Sequence, residues 1–574
     1  MVVNPKKNND IQLINVAKQG DLHYMADFPY GMALLAAYLR NQGFKTLMLQ
    51  YPLWKKKLYE KNILENPSFL YGFQVNMENY FAIGELVNLI KEKNPDAKII
   101  YGGPFVVSSY QNLLKNDMNL DAVVLGEGEF TVAELIKKLK AGRKDWKCID
   151  GIAYLKENGE IKINPSRIAI QNLDEMPFAA RDGVKEGGYD IEGKYMNDIR
   201  ITTSRGCTSN CTFCAVNINS KLQKAKRWRG RSPANVVDEI QYLVEKYNVK
   251  LINFQDSSFD DPHIERSKLL CEEILSRELE ISIKIYLRAN NIHNDTESIE
   301  LYKLYKKAGV DVIIIGAEAG SDYELKIYGK SAKLKDNYRS FRVLNDLNLF
   351  FIHSGFIMFG PYSTLETLRQ NIKFLWENQL YYWYPNFTTS LILFPGASIY
   401  DTLKAEKRII PSKHFCETPN YIFTSPLIYK LAKHYQYIRT IYPYIDKTSP
   451  LVIDSGNILS RLKNKMNKKV SDFCSKETEL FNDAFIRIKK ELNILGNSAA
   501  TEHLDRIEKD GENADLMSIS MQYFSNRWES AFHELDNEYQ KLLRSISEKG
   551  FGLGGLVFNS ELTARERRTD VIQK

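Results

Sequence analysis

The 574-residue chain contains no run of about 18 uncharged apolar residues, so no membrane-spanning helix is expected. Its formal charge is only +7, an excess too thin over this length to be a nucleic-acid footprint, and no nucleic-acid partner is expected. The N-terminal stretch lacks the pattern of a secretory leader. Cysteine is scarce and odd in number at seven, so a disulfide framework is not expected and the chain reads as a reduced, cytoplasmic protein. No Gly-x-Gly-x-x-Gly follows the first predicted strand, which counts against a plain dinucleotide-binding domain. No Lys-Ser/Thr follows Gly550-Phe551-Gly552-Leu553-Gly554-Gly555, so that run is not a phosphate loop. What remains is ordinary for a globular protein of about three to four domains: 44% hydrophobic and 26% charged residues, with 33 Tyr and 28 Phe.

Against this background one loop stands out. Arg205-Gly206-Cys207-Thr208-Ser209-Asn210-Cys211-Thr212-Phe213-Cys214 puts three thiols within eight residues, too dense for packing alone. Thiolates are soft ligands, and a run of them on a Gly-containing loop is suited to an iron–sulfur cubane. A structural zinc would need a fourth donor, and the nearest downstream candidates, His263 and Cys271, lie far along the chain. The spacing of three residues then two, with Phe213 before the last Cys, resembles the cluster loop of the radical S-adenosylmethionine (SAM) enzymes. That resemblance implies a [4Fe-4S] cluster on Cys207, Cys211 and Cys214. Its fourth iron would be chelated by SAM, and an electron from it would split the sulfonium to a 5′-deoxyadenosyl radical. Cys148, Cys271, Cys416 and Cys474 stand isolated and read as buried or free thiols.

In residues 1–145 short apolar runs (Ile11–Val16, Thr46–Gln50, Phe69–Gln74, Lys98–Tyr101, Ala122–Leu125) alternate with helical stretches such as Tyr30–Asn41, Glu85–Lys93 and Thr131–Lys140. This predicts an α/β, doubly wound, Rossmann-like parallel sheet with its ligand at the carboxyl ends of the strands. Gly102-Gly103-Pro104 and Gly126-Glu127-Gly128-Glu129 fall at such ends. By composition they serve equally as a ligand site or as tight strand-to-helix turns. Together with Pro29-Tyr30-Gly31-Met32-Ala33 they resemble the cobalamin-binding domain fused to many radical SAM proteins. The resemblance implies that Pro29, Gly31, Gly102, Gly103, Pro104, Gly126, Glu127, Gly128 and Glu129 line the cobalamin site. Gly20-Asp21-Leu22-His23-Tyr24-Met25-Ala26 nearly spells the Asp-x-His-x-x-Gly motif for a lower His ligand. Ala26 stands where that motif has Gly, and His23 is expected not to bind cobalt.

Residues 146–194 read as a linker with a hairpin, its strands meeting at Asn158-Gly159. Residues 195–412 again alternate strand and helix, with strands at Asp198–Thr203, Lys250–Phe254, Ser282–Tyr286, Val310–Ile315, Phe351–Phe359 and Ser390–Phe394. Six such strands predict a partial, TIM-like βα-barrel with chemistry at the strand carboxyl ends. By resemblance to the same family, Phe213, Gln255, Asp256, Arg288 and Glu318 are the SAM-binding positions. Arg288 would meet the SAM carboxylate, the planar pairing to which a guanidinium is suited. The segment after Cys214 lacks the Gly-Gly-Glu run of many relatives.

Residues 413–574 read as a helical region that caps the open barrel and shapes a substrate pocket, with helices at Leu427–Tyr444, Ile458–Lys468, Thr478–Leu495, Met517–Phe524 and Trp528–Ser545. The resemblance as a whole implies a cobalamin-dependent radical SAM enzyme, in first place a methyltransferase acting on an unactivated carbon. Ring contraction or oxidative cyclisation with the same cofactors is the alternative, and a cobalamin or redox sensor a distant third. The expected partners are a small-molecule or peptide substrate and a flavodoxin- or ferredoxin-like electron donor. The chain is expected to act as a monomer.

Overall fold

In the computed structural model, which describes residues 9–17, 29–52, 56–182, 184–185, 188–191, 194–196, 198–223, 227–259, 264–464, 467–551, 553 and 556, the strand–helix alternation of the N-terminal third builds a seven-stranded sheet. Strands β1 (Asn9–Ala17), β2 (Thr46–Pro52), β3 (Ser68–Gln74), β4 (Lys98–Gly102) and β5 (Ala122–Val124) run parallel in the order β2-β1-β3-β4-β5. The Asn158-Gly159 hairpin, β6 (Ile152–Leu155) and β7 (Ile161–Ile163), extends this sheet antiparallel beyond β5. Gly159 sits at φ +81°, as such a turn requires. Helices α1 (Tyr30–Asn41), α2 (Lys56–Glu65), α3 (Tyr80–Lys93), α4 (Pro104–Asn116) and α5 (Glu129–Lys140) connect the strands. The core is the buried row Ile14, Val16, Tyr71, Phe73, Ile99 and Tyr101 packed on Ile83, Leu86, Val87 and Ile90 of α3, whose spacing gives that helix its apolar stripe.

The chain divides into two compact units. The first holds residues 1–183, 213–231 and 393–420, and the second holds 184–212, 232–392 and 421–574. Within the first, the two later segments dock on the same core through Leu222 and Phe415. Phe415 meets Tyr80 edge-on at 4.9 Å between ring centres.

The second unit contains a parallel sheet in sequential order: β8 (Asp198–Ile201), β9 (Leu251–Phe254), β10 (Ser282–Arg288), β11 (Val310–Glu318) and β12 (Phe351–Phe356). Its helices are α6 (Pro233–Tyr247), α7 (Ile264–Ser276), α8 (Thr296–Lys307), α9 (Asp322–Ile327), α10 (Leu334–Leu347) and α11 (Leu365–Glu377). Side-chain caps start three of them: Ser232 accepts from Asn235 N, Asp295 from Ser298 N and Thr364 from Thr367 N. The expected sixth strand, Ser390–Phe394, is reduced to one parallel bridge between Phe359 and Ser390. A short helix beginning at Pro385 ends at Thr388 just before it, and Pro395, which has no N–H to give a ladder, follows just after. The preceding strand correspondingly stops at Phe356 instead of Phe359.

Burial along these strands alternates with period two, but only in their second halves. In β10, Lys284, Tyr286 and Arg288 are partly exposed between buried neighbours; in β11 the same holds for Ile314, Gly316 and Glu318, and in β12 for His353 and Gly355. At the amino ends the same face is covered. The cover is helical: α12 (Pro426–Ile441), α13 (Pro443–Leu462), α14 (Ser475–Asp510), α15 (Met517–Phe524) and α16 (Asn526–Glu548) follow the sheet. Arg461 of α13 donates to Ser282 Oγ at 3.2 Å and Ser460 to Asp311 O at 2.7 Å. Gly456 lies so close to the Phe351 ring that a Cβ there would collide with it. Helix α13 is therefore the floor of the inner face, and the face stays open only toward the carboxyl ends. This helix starts at Pro443, not Ile458, and holds Pro450 in its interior; α14 continues past Leu495 to Asp510 with Gly496 inside it, where a Cβ would collide with Tyr381. Among the described residues no helix is long and apolar enough to cross a membrane.

A polar knot lies inside the helical layer. His503 Nδ1 meets Tyr435 Oη at 2.9 Å, its Nε2 lies 3.1 Å from both Leu516 O and Ser520 Oγ, and His434 Nε2 reaches the same Ser520 at 2.8 Å. Burial pulls His503 from 6.5 down to about 3 and His434 to about 4. A histidine whose folded value is depressed takes up its proton on unfolding, so stability is full above the unfolded value and is lost as pH falls below it. Thermal unfolding of the cluster-free protein should show a melting temperature that drops steeply between pH 6.5 and 4. His503→Gln should flatten that slope; an unchanged slope would remove the pair as its source.

Candidate functional site

The cysteine loop is held at both ends within the second unit. On the near side Asp256, fully buried after β9, accepts from Thr203 N at 2.8 Å, Ser204 N at 2.7 Å and Thr203 Oγ1 at 2.8 Å. Burial pushes its carboxyl up, and these donors partly offset that rise. Gln255 N donates to Ile201 O at 2.8 Å, tying the same turn to β8. On the far side Thr212 donates from N to Tyr328 O at 2.8 Å and from Oγ1 to Ile327 O at 2.9 Å. Gly206, at φ +89°, turns the chain into the loop. Ser209 N lies 3.4 Å from Cys207 Sγ and Ser209 Oγ 3.3 Å from Cys211 Sγ. Cys214 lies in the segment 213–231 of the first unit.

None of the seven cysteines is in a disulfide, and Cys207, Cys211 and Cys214 are all part-exposed. Of the isolated four, Cys271, Cys416 and Cys474 are buried as expected and Cys148 is exposed. Among the described residues no three His, Cys, Asp or Glu side chains converge on a single metal position. Thiols are the soft donors an iron–sulfur cluster takes, one thiolate to each iron.

The other SAM-directed positions lie at the open end of the same sheet. Arg288 ends β10 on the inner face, paired in register with Gly316. Glu318 ends β11 at φ +68° with its carboxylate 3.6 Å from Lys330, which also donates to Gly316 O at 3.0 Å. The turn after Glu318 is braced by residues whose role the sequence does not reveal. Asn337 donates to Ala317 O and Ala319 O at 3.0 and 2.9 Å, and Asn371 accepts from Gly320 N at 2.7 Å. Asn371 in turn donates to the buried Glu324 at 2.8 Å. Their one legible signal is a polar residue on the buried face of its helix, a face each shares with a second polar residue, Ser340 or Thr367. His353, one rung lower on β12, is held near 3 by burial and the Lys284 charge, and is a neutral imidazole at working pH. Phe213 lies in the first unit with Cys214.

The glycine turns end the parallel strands of the first unit. Gly103 (φ +112°) and Pro104 pass β4 into α4, and a Cβ on Gly102 would meet nothing within 4 Å. Gly126 (φ +88°) follows β5, and a Cβ there would collide with the carboxamide of Gln223. Glu127 is committed to protein contacts. It accepts from Arg229 Nη2 at 2.7 Å, Arg229 Nη1 at 3.2 Å and Ile170 N at 2.8 Å. Gly128 precedes α5 and Glu129, its first residue, is buried. Pro29 accepts from Ala33 N at 2.9 Å, and a Cβ on Gly31 in α1 would meet nothing within 4 Å. Gly102, at the carboxyl end of β4, thus faces open space where a parallel sheet receives its ligand, whereas the space beside Gly126 is taken by Gln223. Asp21, His23 and Ala26 lie outside the described residues.

Residues 201–375 match the radical SAM superfamily and residues 26–136 the B12 binding domain. The first implies a [4Fe-4S] cluster and SAM, the second cobalamin. The chain is 31% identical over 316 residues to an uncharacterised methyltransferase of Pyrococcus horikoshii, a match covering 55% of this chain and 65% of that one. It is 29% identical to an anaerobic magnesium-protoporphyrin IX monomethyl ester cyclase of Rubrivivax gelatinosus, over 60% of this chain and 61% of that one. The chain thus spans somewhat under two thirds of either relative. The fold matches that of the cobalamin-dependent S-adenosylmethionine radical enzyme OxsB, solved with aqua-cobalamin and SAM bound. That match has a TM-score of 0.63 at 20% identity and covers 98% of this chain and 84% of that one.

Proposed function

We propose that this chain, which joins a B12 binding domain to a radical SAM domain, is a methyltransferase that moves a methyl group to an unactivated carbon of a small molecule or peptide. The observation that carries the reading is the coexistence in one chain of a braced three-thiol loop and glycine turns at the carboxyl ends of parallel strands. When bound, the cluster with SAM supplies a hydrogen-abstracting radical and cobalamin supplies the methyl group. In this reading Cys207, Cys211 and Cys214 hold the cluster, Arg288 faces the SAM carboxylate and Glu318 the turn beside it. Gln255 and Phe213 flank the SAM methionine moiety. Asp256 acts through Thr203 and Ser204 and positions the loop. Gly102, Gly103 and Gly126 admit the cobalamin tail, while Glu127 fixes their surroundings through Arg229. The protein works as a cytoplasmic monomer fed by a flavodoxin- or ferredoxin-like donor, and its thiols, none in a disulfide, suit a reducing compartment.

Anaerobically reconstituted protein given SAM, cobalamin, reductant and a panel of small-molecule and peptide acceptors should form S-adenosylhomocysteine, 5′-deoxyadenosine and a methylated acceptor. Deoxyadenosine without homocysteine product would remove methyl transfer and leave the second reading, a cyclisation or ring contraction, which rests on the similarity to the Rubrivivax gelatinosus cyclase.

A further inference from the structure

Among the described residues of the first unit, a carboxamide beside a glycine turn is buried and left unsatisfied by its own fold. Gln223 follows the short helix Val216–Leu222, only 4% exposed, and among the described residues its Nε2 has no hydrogen-bond partner. An unpaired buried amide is costly and rare enough in native folds to need a reason. The carboxamide is aimed at Gly126: an added Cβ there would collide with Cγ, Cδ and Nε2 of Gln223 together. Gly126 lies at the carboxyl end of β5, where a parallel sheet receives its ligand. The segment that carries Gln223 is also pinned nearby, since Arg229 forms the forked ion pair with Glu127, the residue after Gly126, and donates to Ile170 O. Leu222, the neighbour of Gln223, packs into the sheet's core. The side chain is thus held in place by two anchors, yet its donor is unused.

We propose that Gln223 is a cobalamin-binding residue, its carboxamide donating to an oxygen of the cofactor's nucleotide tail at the Gly126 turn. The inference rests on the cobalamin reading above and adds to it a ligand from outside the 26–136 domain, from the stretch just after the cluster cysteines. The tail, with its amide carbonyls and phosphodiester, offers acceptors in number, which is the chemistry an unused N–H₂ donor calls for. Glycine at 126 keeps that donor reachable, because any side chain there would occupy its place.

The test is titration of hydroxocobalamin into the full-length protein, followed by the visible spectrum, with bound iron after anaerobic reconstitution as the check on folding. Gln223→Ala and the near-isosteric, apolar Gln223→Leu should each raise the dissociation constant about tenfold or more while bound iron stays unchanged. Gln223→Glu, which keeps acceptors but loses the donor, should bind no better than Gln223→Leu. Gln223→Leu binding as tightly as the parent would overturn the proposal, for the side chain would then only fill space over Gly126. A parent protein that took up no cobalamin would overturn the functional reading itself, a result visible before any variant is made.

Discussion

Alanine at Cys207, Cys211 or Cys214 is expected to abolish the iron–sulfur absorption and, with it, all SAM cleavage. The effect is all-or-none for a physical reason: a cubane held by three thiolates has no spare protein ligand, and no other cysteine lies near them in sequence to substitute. Cys148, Cys271, Cys416 and Cys474 should each be replaceable with bound iron retained. The buried Cys271 behaves as a small apolar side chain, its thiol pushed well above the usual range by burial. Iron analysis and the visible spectrum of the seven single variants check this directly. Loss of the cluster in one of those four would show that the three-ligand set is wrong.

Asp256→Ala should come next in severity. Three donors, Thr203 N, Thr203 Oγ1 and Ser204 N, lose their acceptor inside the protein, a loss of about 3 kcal/mol or more by the cost of unsatisfied buried groups. The cluster loop loses its near anchor with them, so bound iron should fall as well. Asp256→Asn separates a positioning role from a charge role. Its amide oxygen still accepts from the two backbone donors and its N–H₂ can donate to the Thr203 hydroxyl, so cluster content and SAM affinity should largely survive. Should Asp256→Asn keep the cluster but lose SAM affinity, the carboxylate would be meeting SAM by its charge instead.

What the sequence makes legible are features whose cause is local. Three cysteines in eight residues, the strand-to-helix glycine turns and the Asn158-Gly159 hairpin each declare themselves within a few positions, and period-two and 3.6-residue patterns suffice for the order of strands and helices. What it hides depends on partners distant along the chain. Glu127 reads as a ligand position next to glycine, but its carboxylate pairs with Arg229, 102 residues away. Asp256 reads as a SAM position, and nothing near it in sequence says that its oxygens accept from Thr203 and Ser204, some fifty residues earlier. Ser390–Phe394 has strand-like composition, yet between the short helix at Pro385 and Pro395 its pairing is a single bridge. Helix α13 was masked by Pro450, which usually ends a helix, and nothing in its residues says that it lies under Ser282 and Phe351.

The origin of that floor has a consequence for how the protein is made. Every strand it covers lies between residues 198 and 356, whereas Gly456, Ser460 and Arg461 leave the ribosome roughly a hundred residues later, on the order of ten seconds at typical elongation rates. For that interval the nascent sheet has no cover over Phe351 and Ser282, although the cysteine loop and all five strands already exist. A chain interrupted before Pro443 keeps this sticky surface permanently, so premature termination yields a product for chaperones and proteases and not a smaller working enzyme.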